Sequence, residues 1–214
     1  HNASRGSREA EWRELQKTAD KELAEILPGQ YAYGEALRRE LPEDGIVCFG
    51  VTQMGFYSWW GFPTYQPRTN LQPGVQGTLG YSFPTALGAQ VAHPDRKVVC
   101  VTGDGGFMMT SNAISTAVQY QLPVVFVVLN DGGLGMVREN QRPNLIASEF
   151  VDTNHAKMAE AYGGWGVQVD NPNDIPAAIH EAFRSGQPAV VDVIMDRFEA
   201  FGQFRAGVSE FARR

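Results

Sequence analysis

The chain has 214 residues, 43% apolar and 20% charged, with a formal net charge of −6; that length and balance describe one substantial globular domain. The acidic balance and the lack of any Lys/Arg cluster argue against a nucleic-acid surface, and no apolar run reaches the roughly 18–20 residues that a membrane span needs. No secretory signal pattern opens the chain, and Cys48 and Cys100 fall in predicted core strands without C-x-x-C spacing, so buried free thiols in a reducing, cytoplasmic compartment are the default reading.

Residues 1–8 are small and polar and do not begin with methionine, which reads as a linker end or a processed piece of a longer chain. Residues 9–26 are helical by period, with Trp12, Leu15, Ala19, Leu23 and Ile26 on one stripe that should dock. Pro28-Gly29 stops this helix, making 1–27 a linker and docking helix. A second helix is predicted over 31–40 and a first strand over 46–49, followed at its carboxyl end by Gly50-Val51-Thr52-Gln53. Residues 56–65 are dense in aromatics: Phe56, Tyr57, Trp59, Trp60, Phe62 and Tyr65. They can be ordinary core; they can also form an interface, where Trp and Tyr are enriched, and that reading is preferred. A helix from near Gly80 carries Ser82, Ala86, Gly88, Ala89 and Ala92, small enough for close packing on a sheet. His93 lies in a surface turn and reads as solvated.

The next stretch organises the rest. Residues 98–102 are a β-branched apolar run, broken by Gly103-Asp104-Gly105-Gly106; 107–121 can form a helix; 124–129 are a second apolar run, ended by Asn130-Asp131-Gly132-Gly133. Strand, helix and strand make a βαβ unit of a parallel sheet. Asp104 and Asp131 therefore sit at the same carboxyl edge, where open α/β sheets bind ligands. Aspartate and glycine after a strand are also ordinary turn chemistry, but two such turns at crossover spacing are a sharper signal. Two carboxylates beside a helix start suggest a hard divalent cation bridging to a phosphate.

Beyond this unit, Arg138 and Glu139 read as a solvated helix face. Helices are predicted over 154–162 and 175–184, with His155 and His180 at exposed positions. A strand is predicted over 166–169, and a near-continuously apolar strand over 189–195 should be central in the sheet. The tail, 197–214, is mixed and has room to pack over a partner chain. No G-x-G-x-x-G, no Gly-Lys-Ser/Thr and no zinc spacing occurs, which argues against nicotinamide, nucleoside-triphosphate and zinc sites.

Gly103-Asp104-Gly105, followed by the apolar strand ending in Asn130-Asp131, resembles the signature of thiamine-diphosphate-dependent enzymes. Residues 129–138, LNDGGLGMVR, look like the acetolactate synthase-like branch. The resemblance covers residues 28–196 and implies a diphosphate-binding domain: a doubly wound, mainly parallel α/β sheet of about six strands flanked by helices. It implies that Val51, Thr52 and Gln53 touch the diphosphate, and that Gly77, Gly103, Gly105, Gly106, Leu134, Gly135 and Met136 also bind thiamine diphosphate. It makes Leu79 the apolar wedge that bends the cofactor, the residue closest to a catalytic role. It gives Mg²⁺ the Asp104 carboxylate, the Asp131 side chain and the Gly133 carbonyl as protein ligands, with diphosphate oxygens and water completing the shell.

Three positions depart from the family. Met54 stands where many members have histidine, so one diphosphate contact is missing or comes from elsewhere. Asp131 replaces the usual asparagine; its added charge should tighten metal binding and repel the diphosphate. Asn140 stands where biosynthetic acetolactate synthases have tryptophan, which predicts little preference for 2-oxobutyrate.

The resemblance implies the C-terminal domain of an Mg²⁺-dependent enzyme acting on a 2-oxo acid by decarboxylation or carboligation, inactive without a pyrimidine-binding domain from the same or another chain. It also implies a homodimer or homotetramer, with FAD possible only through a domain absent here. The alternatives are a small subunit of a two-subunit 2-oxo acid decarboxylase and a non-catalytic cofactor-binding module.

Overall fold

The computed structural model describes residues 7–195 and Ser209. In chain order it runs α1 (Glu9–Ile26), α2 (Pro28–Glu40), β1 (Ile46–Phe49), α3 (Gln53–Tyr57), β2 (Asn70–Leu71), α4 (Ser82–Ala92), β3 (Val98–Gly103) and α5 (Asp104–Met108). Then come α6 (Ala113–Gln119), β4 (Val125–Asn130), α7 (Gly135–Gln141), α8 (His155–Ala161), β5 (Trp165–Val169), α9 (Ile175–Ser185) and β6 (Ala189–Ile194). Among the described residues the strands form one sheet of six, ordered β2-β1-β3-β4-β6-β5, with every pair parallel. No helix among these residues is long and apolar enough to cross a membrane. The 197–214 tail, Ser209 apart, lies outside the described residues.

The alternation of each strand divides the core in two. Val47, Phe49, Val99, Val101, Val125, Val127 and Val191 pack on one face with residues of α1, α2 and α9. Ile46, Cys48, Val98, Cys100, Phe126, Val128 and Val190 pack on the other with α4, α5, α6 and α8. Phe83 of α4 stacks on Phe126 of β4, ring centroids 3.9 Å apart. With helices on both faces, the strands are buried on both sides and read as near-continuous apolar runs. β6 lies between β4 and β5, inside the sheet as its apolar run requires.

Several elements differ from the sequence expectation. The helix predicted over 107–121 is two pieces, because α5 starts directly at Asp104 and ends at Met108. Turns over 109–112 follow, and the Thr110 hydroxyl bonds the Gly80 carbonyl. Ser111 and Asn112, weak helix formers, sit at that break. Pro28 does not leave a gap after α1 but begins α2, as proline favours the first helical position. Only the end of the α1 stripe docks: Leu23 is buried and Ile26 packs on the core, whereas Trp12 is 60% exposed and Leu15 is also exposed. The aromatic stretch splits, with Tyr57 and Phe62 in the core and Trp59, Trp60 and Tyr65 exposed.

Candidate cofactor site at the carboxyl edge

The connection after β1 leads to the edge strand β2, and the connection after β3 leads the opposite way to β4. The chain thus reverses direction between β1 and β3, and a crevice opens there outside the strand ends. A cleft of about 280 Å³ lies in this crevice. It is lined from the end of β1 by Val51, Thr52 and Gln53, and from the end of β3 by Gly103, Asp104, Gly105 and Gly106. From the end of β4 come Asp131, Gly133, Leu134, Gly135 and Met136, and Leu79 lines it from before α4. Of the residues predicted for the site, Gly77 alone does not line the cleft; it is exposed, with φ +55°.

Thr52 caps α3, its hydroxyl accepting the Gly55 N–H at 3.0 Å. Asp104 is the first residue of α5 and is buried. Its Oδ1 accepts the Gly105 N–H and its Oδ2 the Gly133 N–H, each at 2.8 Å. Burial and the nearby Asp131 charge push its carboxyl up to about 6, although those two N–H groups and His155 favour the carboxylate. Asp131 faces the cleft, while its neighbour Asn130 turns into the core.

Glycine lets the β3 and β4 turns close tightly, on each other and on themselves. A Cβ at Gly105 would sit 2.5 Å from Leu134 Cδ2, and one at Gly106 2.8 Å from Thr102 Oγ1. A Cβ at Gly135 would sit 2.1 Å from Asp131 Oδ2. The β4 turn is braced by residues 148–150: Leu134 N–H donates to the Ser148 carbonyl at 2.8 Å, and Phe150 N–H to the Gly132 carbonyl at 2.9 Å.

Two corrections concern charged side chains. Arg138 is not on a solvated face: it is 3% exposed, and its Nη2 donates to Asp131 Oδ2 at 2.8 Å and to the Asp131 carbonyl at 3.2 Å. A buried guanidinium needs such a partner, because desolvation otherwise opposes its charge. His155 is not exposed either. It is 2% exposed, with Nδ1 3.1 Å from Asp192 Oδ1 and 3.2 Å from Asn130 Nδ2. Its backbone N–H donates to Asp192 Oδ2, which also accepts from Gln168 Nε2 at 2.8 Å. Asn130 Nδ2 donates to Asp192 Oδ1 at 3.1 Å, so this network anchors the residue next to Asp131. His180, by contrast, is exposed and meets Glu40 at 3.1 Å.

One wall of the cleft was not foreseen. Ile26, Leu27, Pro28, Gly29, Gln30 and Tyr33, from the α1–α2 joint, line it together with Met195. Gln30 Nε2 donates to Gln53 Oε1 at 2.8 Å, setting an amide pair beside Met54. Pro28-Gly29 signalled a joint, but nothing local signalled where the joint would pack.

The residues present fit an anionic, cation-bridged ligand: two carboxylates from adjacent strand ends, and glycine backbone kept bare where a side chain would intrude. Fold and cleft define a doubly wound α/β domain with a ligand cleft at its switch point. The chain matches the family "Thiamine pyrophosphate enzyme, C-terminal TPP binding domain" over residues 50–193, and it belongs to that family. It is 35% identical over 206 residues to the acetolactate synthase large subunit of Haemophilus influenzae, covering 89% of this chain and 35% of that protein. It is 38% identical over 143 residues to a 2-hydroxyacyl-CoA lyase of Oryza sativa subsp. japonica, covering 62% of this chain and 25% of that protein. A solved thiamine diphosphate-dependent 4-hydroxybenzoylformate decarboxylase of Rhodococcus jostii RHA1 superposes with TM-score 0.71 at 27% identity, covering 78% of this chain and 32% of that one. The chain thus spans about a third or less of the length of these relatives, and its likeness includes the acetolactate synthase-like branch.

Proposed function

We propose that this chain is the diphosphate-binding domain of an Mg²⁺-dependent enzyme that decarboxylates a 2-oxo acid or joins it to a second carbonyl compound. The observation that carries this reading is the convergence of the Asp104 and Asp131 turns on one glycine-lined cleft. Asp104, Asp131 and the Gly133 carbonyl hold the Mg²⁺, and Val51, Thr52, Gln53 and the 103–106 turn hold the diphosphate. When bound, thiamine diphosphate supplies the electron sink for the carbanion formed next to the carbonyl. Leu79 lines the cleft and would give the bound cofactor an apolar surface to pack on. Met54 can donate no hydrogen bond, so the amides of Gln30 and Gln53 are the polar groups next to that position.

The pyrimidine end and its activating carboxylate belong to a second domain, in the same or another chain, within a homodimer or homotetramer. The exposed Trp59, Trp60 and Tyr65 offer such an assembly an aromatic surface. The buried Cys48 and Cys100 thiols suit a reducing, cytoplasmic setting.

Calorimetry of the 214-residue chain with thiamine diphosphate and Mg²⁺ tests the reading. Binding should require Mg²⁺ and disappear in Asp104→Ala; unchanged affinity in that variant would remove Asp104 from the site. Added pyruvate should yield neither CO₂ nor acetolactate. Turnover at ordinary enzyme rates would place the activating group within this chain.

A further inference from the structure

We propose that Asp131 and Arg138 act as one charge-neutral unit, in which Arg138 is the positioning residue that aims the cleft-facing carboxylate and cancels its charge. The inference rests on the metal-site reading above and deepens it.

The guanidinium grips Asp131 twice through one nitrogen, Nη2, at the side-chain Oδ2 and at the backbone carbonyl. Both side chain and main chain of Asp131 are thereby held by a group on α7. The two partners are unequally placed: the Arg138 side chain is 4% exposed, the Asp131 side chain 28%. The arginine lies behind the aspartate, seen from the cleft, and only the aspartate lines the opening. Space is kept for the pair by glycine on both sides. The missing Cβ of Gly135 would fall on Asp131 Oδ2, and that of Gly133 would fall 3.1 Å from Arg138 Nη1.

The electrostatic consequence is direct. A cleft with Asp104 and Asp131 alone would present two negative charges to an anionic diphosphate. That would favour the bare cation and oppose the anion. Arg138 offsets one of the two. The sequence expectation that Asp131 repels the diphosphate is therefore countered within the chain, by a residue taken for a solvated one. A buried guanidinium is poorly screened by salt, so the offset holds across ordinary ionic strength.

The test uses the 214-residue chain and Mn²⁺, a paramagnetic probe for the Mg²⁺ site, followed by electron paramagnetic resonance of free Mn²⁺. Thiamine diphosphate is then titrated at saturating Mn²⁺. Arg138→Met exposes the second negative charge, so Mn²⁺ affinity should rise and thiamine diphosphate affinity fall, each on the order of tenfold. Asp131→Asn removes one negative charge from the cleft and should lower Mn²⁺ affinity. The double variant, Asp131→Asn with Arg138→Met, should return both affinities to within about threefold of the wild type, because the cleft then carries the same net charge as in the wild type. Arg138→Lys keeps the charge and should also stay near wild type; if Arg138→Met proves unstable in a thermal melt, Asp131→Asn carries the comparison, and an unchanged Mn²⁺ affinity there overturns the proposal. Wild-type Mn²⁺ binding with Arg138→Met unchanged, or a double variant no closer to wild type than the singles, overturns the neutral unit alone. No Mn²⁺ binding in the wild-type chain overturns the metal-site reading and this inference with it.

Discussion

Asp104 Oδ2 accepts the Gly133 backbone N–H at 2.8 Å, a bond that ties the turn after β3 to the turn after β4. The two turns are remote in sequence, yet strand pairing sets Gly103 opposite Leu129 and brings them together. The bond shapes the cleft from both sides, because Asp104 and Gly133 are both in the proposed cation site.

The protonation of Asp104 gives the first prediction. Burial, then the Asp131 charge, raises its carboxyl from 3.8 to about 6. The folded chain thus holds this proton more tightly than the unfolded chain. The stability this group contributes to the metal-free protein is fully present below the unfolded value and is lost as pH rises through about 6. A cation competes with that proton. The rise in melting temperature on adding Mg²⁺ and thiamine diphosphate should therefore be small near about pH 5 and full near about pH 8. Equal rises at both would rule out Asp104 as the titrating ligand.

Gly133→Ala should damage both fold and site. Its Cβ would meet the Ser148 backbone carbonyl at 2.2 Å, and backbone cannot rotate away as a side-chain tip can. We expect a loss of about 1–3 kcal/mol by urea denaturation, with weaker Mg²⁺-dependent cofactor binding. Gly29→Ala, where nothing lies within 4 Å of the added Cβ, is the control. Its stability should change by no more than about 0.5 kcal/mol.

The Asp192 network predicts a different pH behaviour. Burial alone would raise the Asp192 carboxyl, but hydrogen bonds from His155 and Gln168 and the His155 charge outweigh it and hold the group below the usual carboxylate range. Its contribution is therefore present above the unfolded value and lost as pH falls through the lower folded value. Asp192→Ala should cost about 3–5 kcal/mol near neutral pH by leaving buried donors unpaired. That deficit should shrink on acidification, as the wild type loses the same interactions. A deficit independent of pH would mean that packing alone, not charge, sets the cost.

Leu79→Ala tests the wedge. In the assembled enzyme, proton exchange at the reactive carbon of the cofactor, followed in deuterium oxide, should slow more than cofactor affinity falls. Exchange at the wild-type rate would leave Leu79 as part of the cleft wall and nothing more.

Much of this was legible in the chain itself. Apolar runs such as 98–102 and 124–129, ended by glycine and aspartate, announce parallel strands and their carboxyl edges through local backbone preference and alternation. One consequence, that Asp104 and Asp131 share an edge, needs only the βαβ rule. Thr52, Gln53 and the 103–106 turn follow from the same logic, since each ends a strand that pairs with its neighbour.

The fates of Arg138, His155 and the α1–α2 joint depended on tertiary structure. A charged residue on a seven-residue helix reads as exposed, because burying it alone is costly. Only the fold brings Asp131 to within 2.8 Å of Arg138, and Asp192 of β6 to His155. Pro28-Gly29 declared a joint between helices, but the cleft wall it forms arises from packing α1 and α2 on the sheet beside β1 and α3. Local sequence determines which backbone shape each segment prefers, because propensity acts between near neighbours. Which charges are neutralised, and which surfaces close a cleft, is decided by how turns, helices and strands fold onto one another, whether the partners are seven residues apart, as Asp131 and Arg138, or 37, as His155 and Asp192.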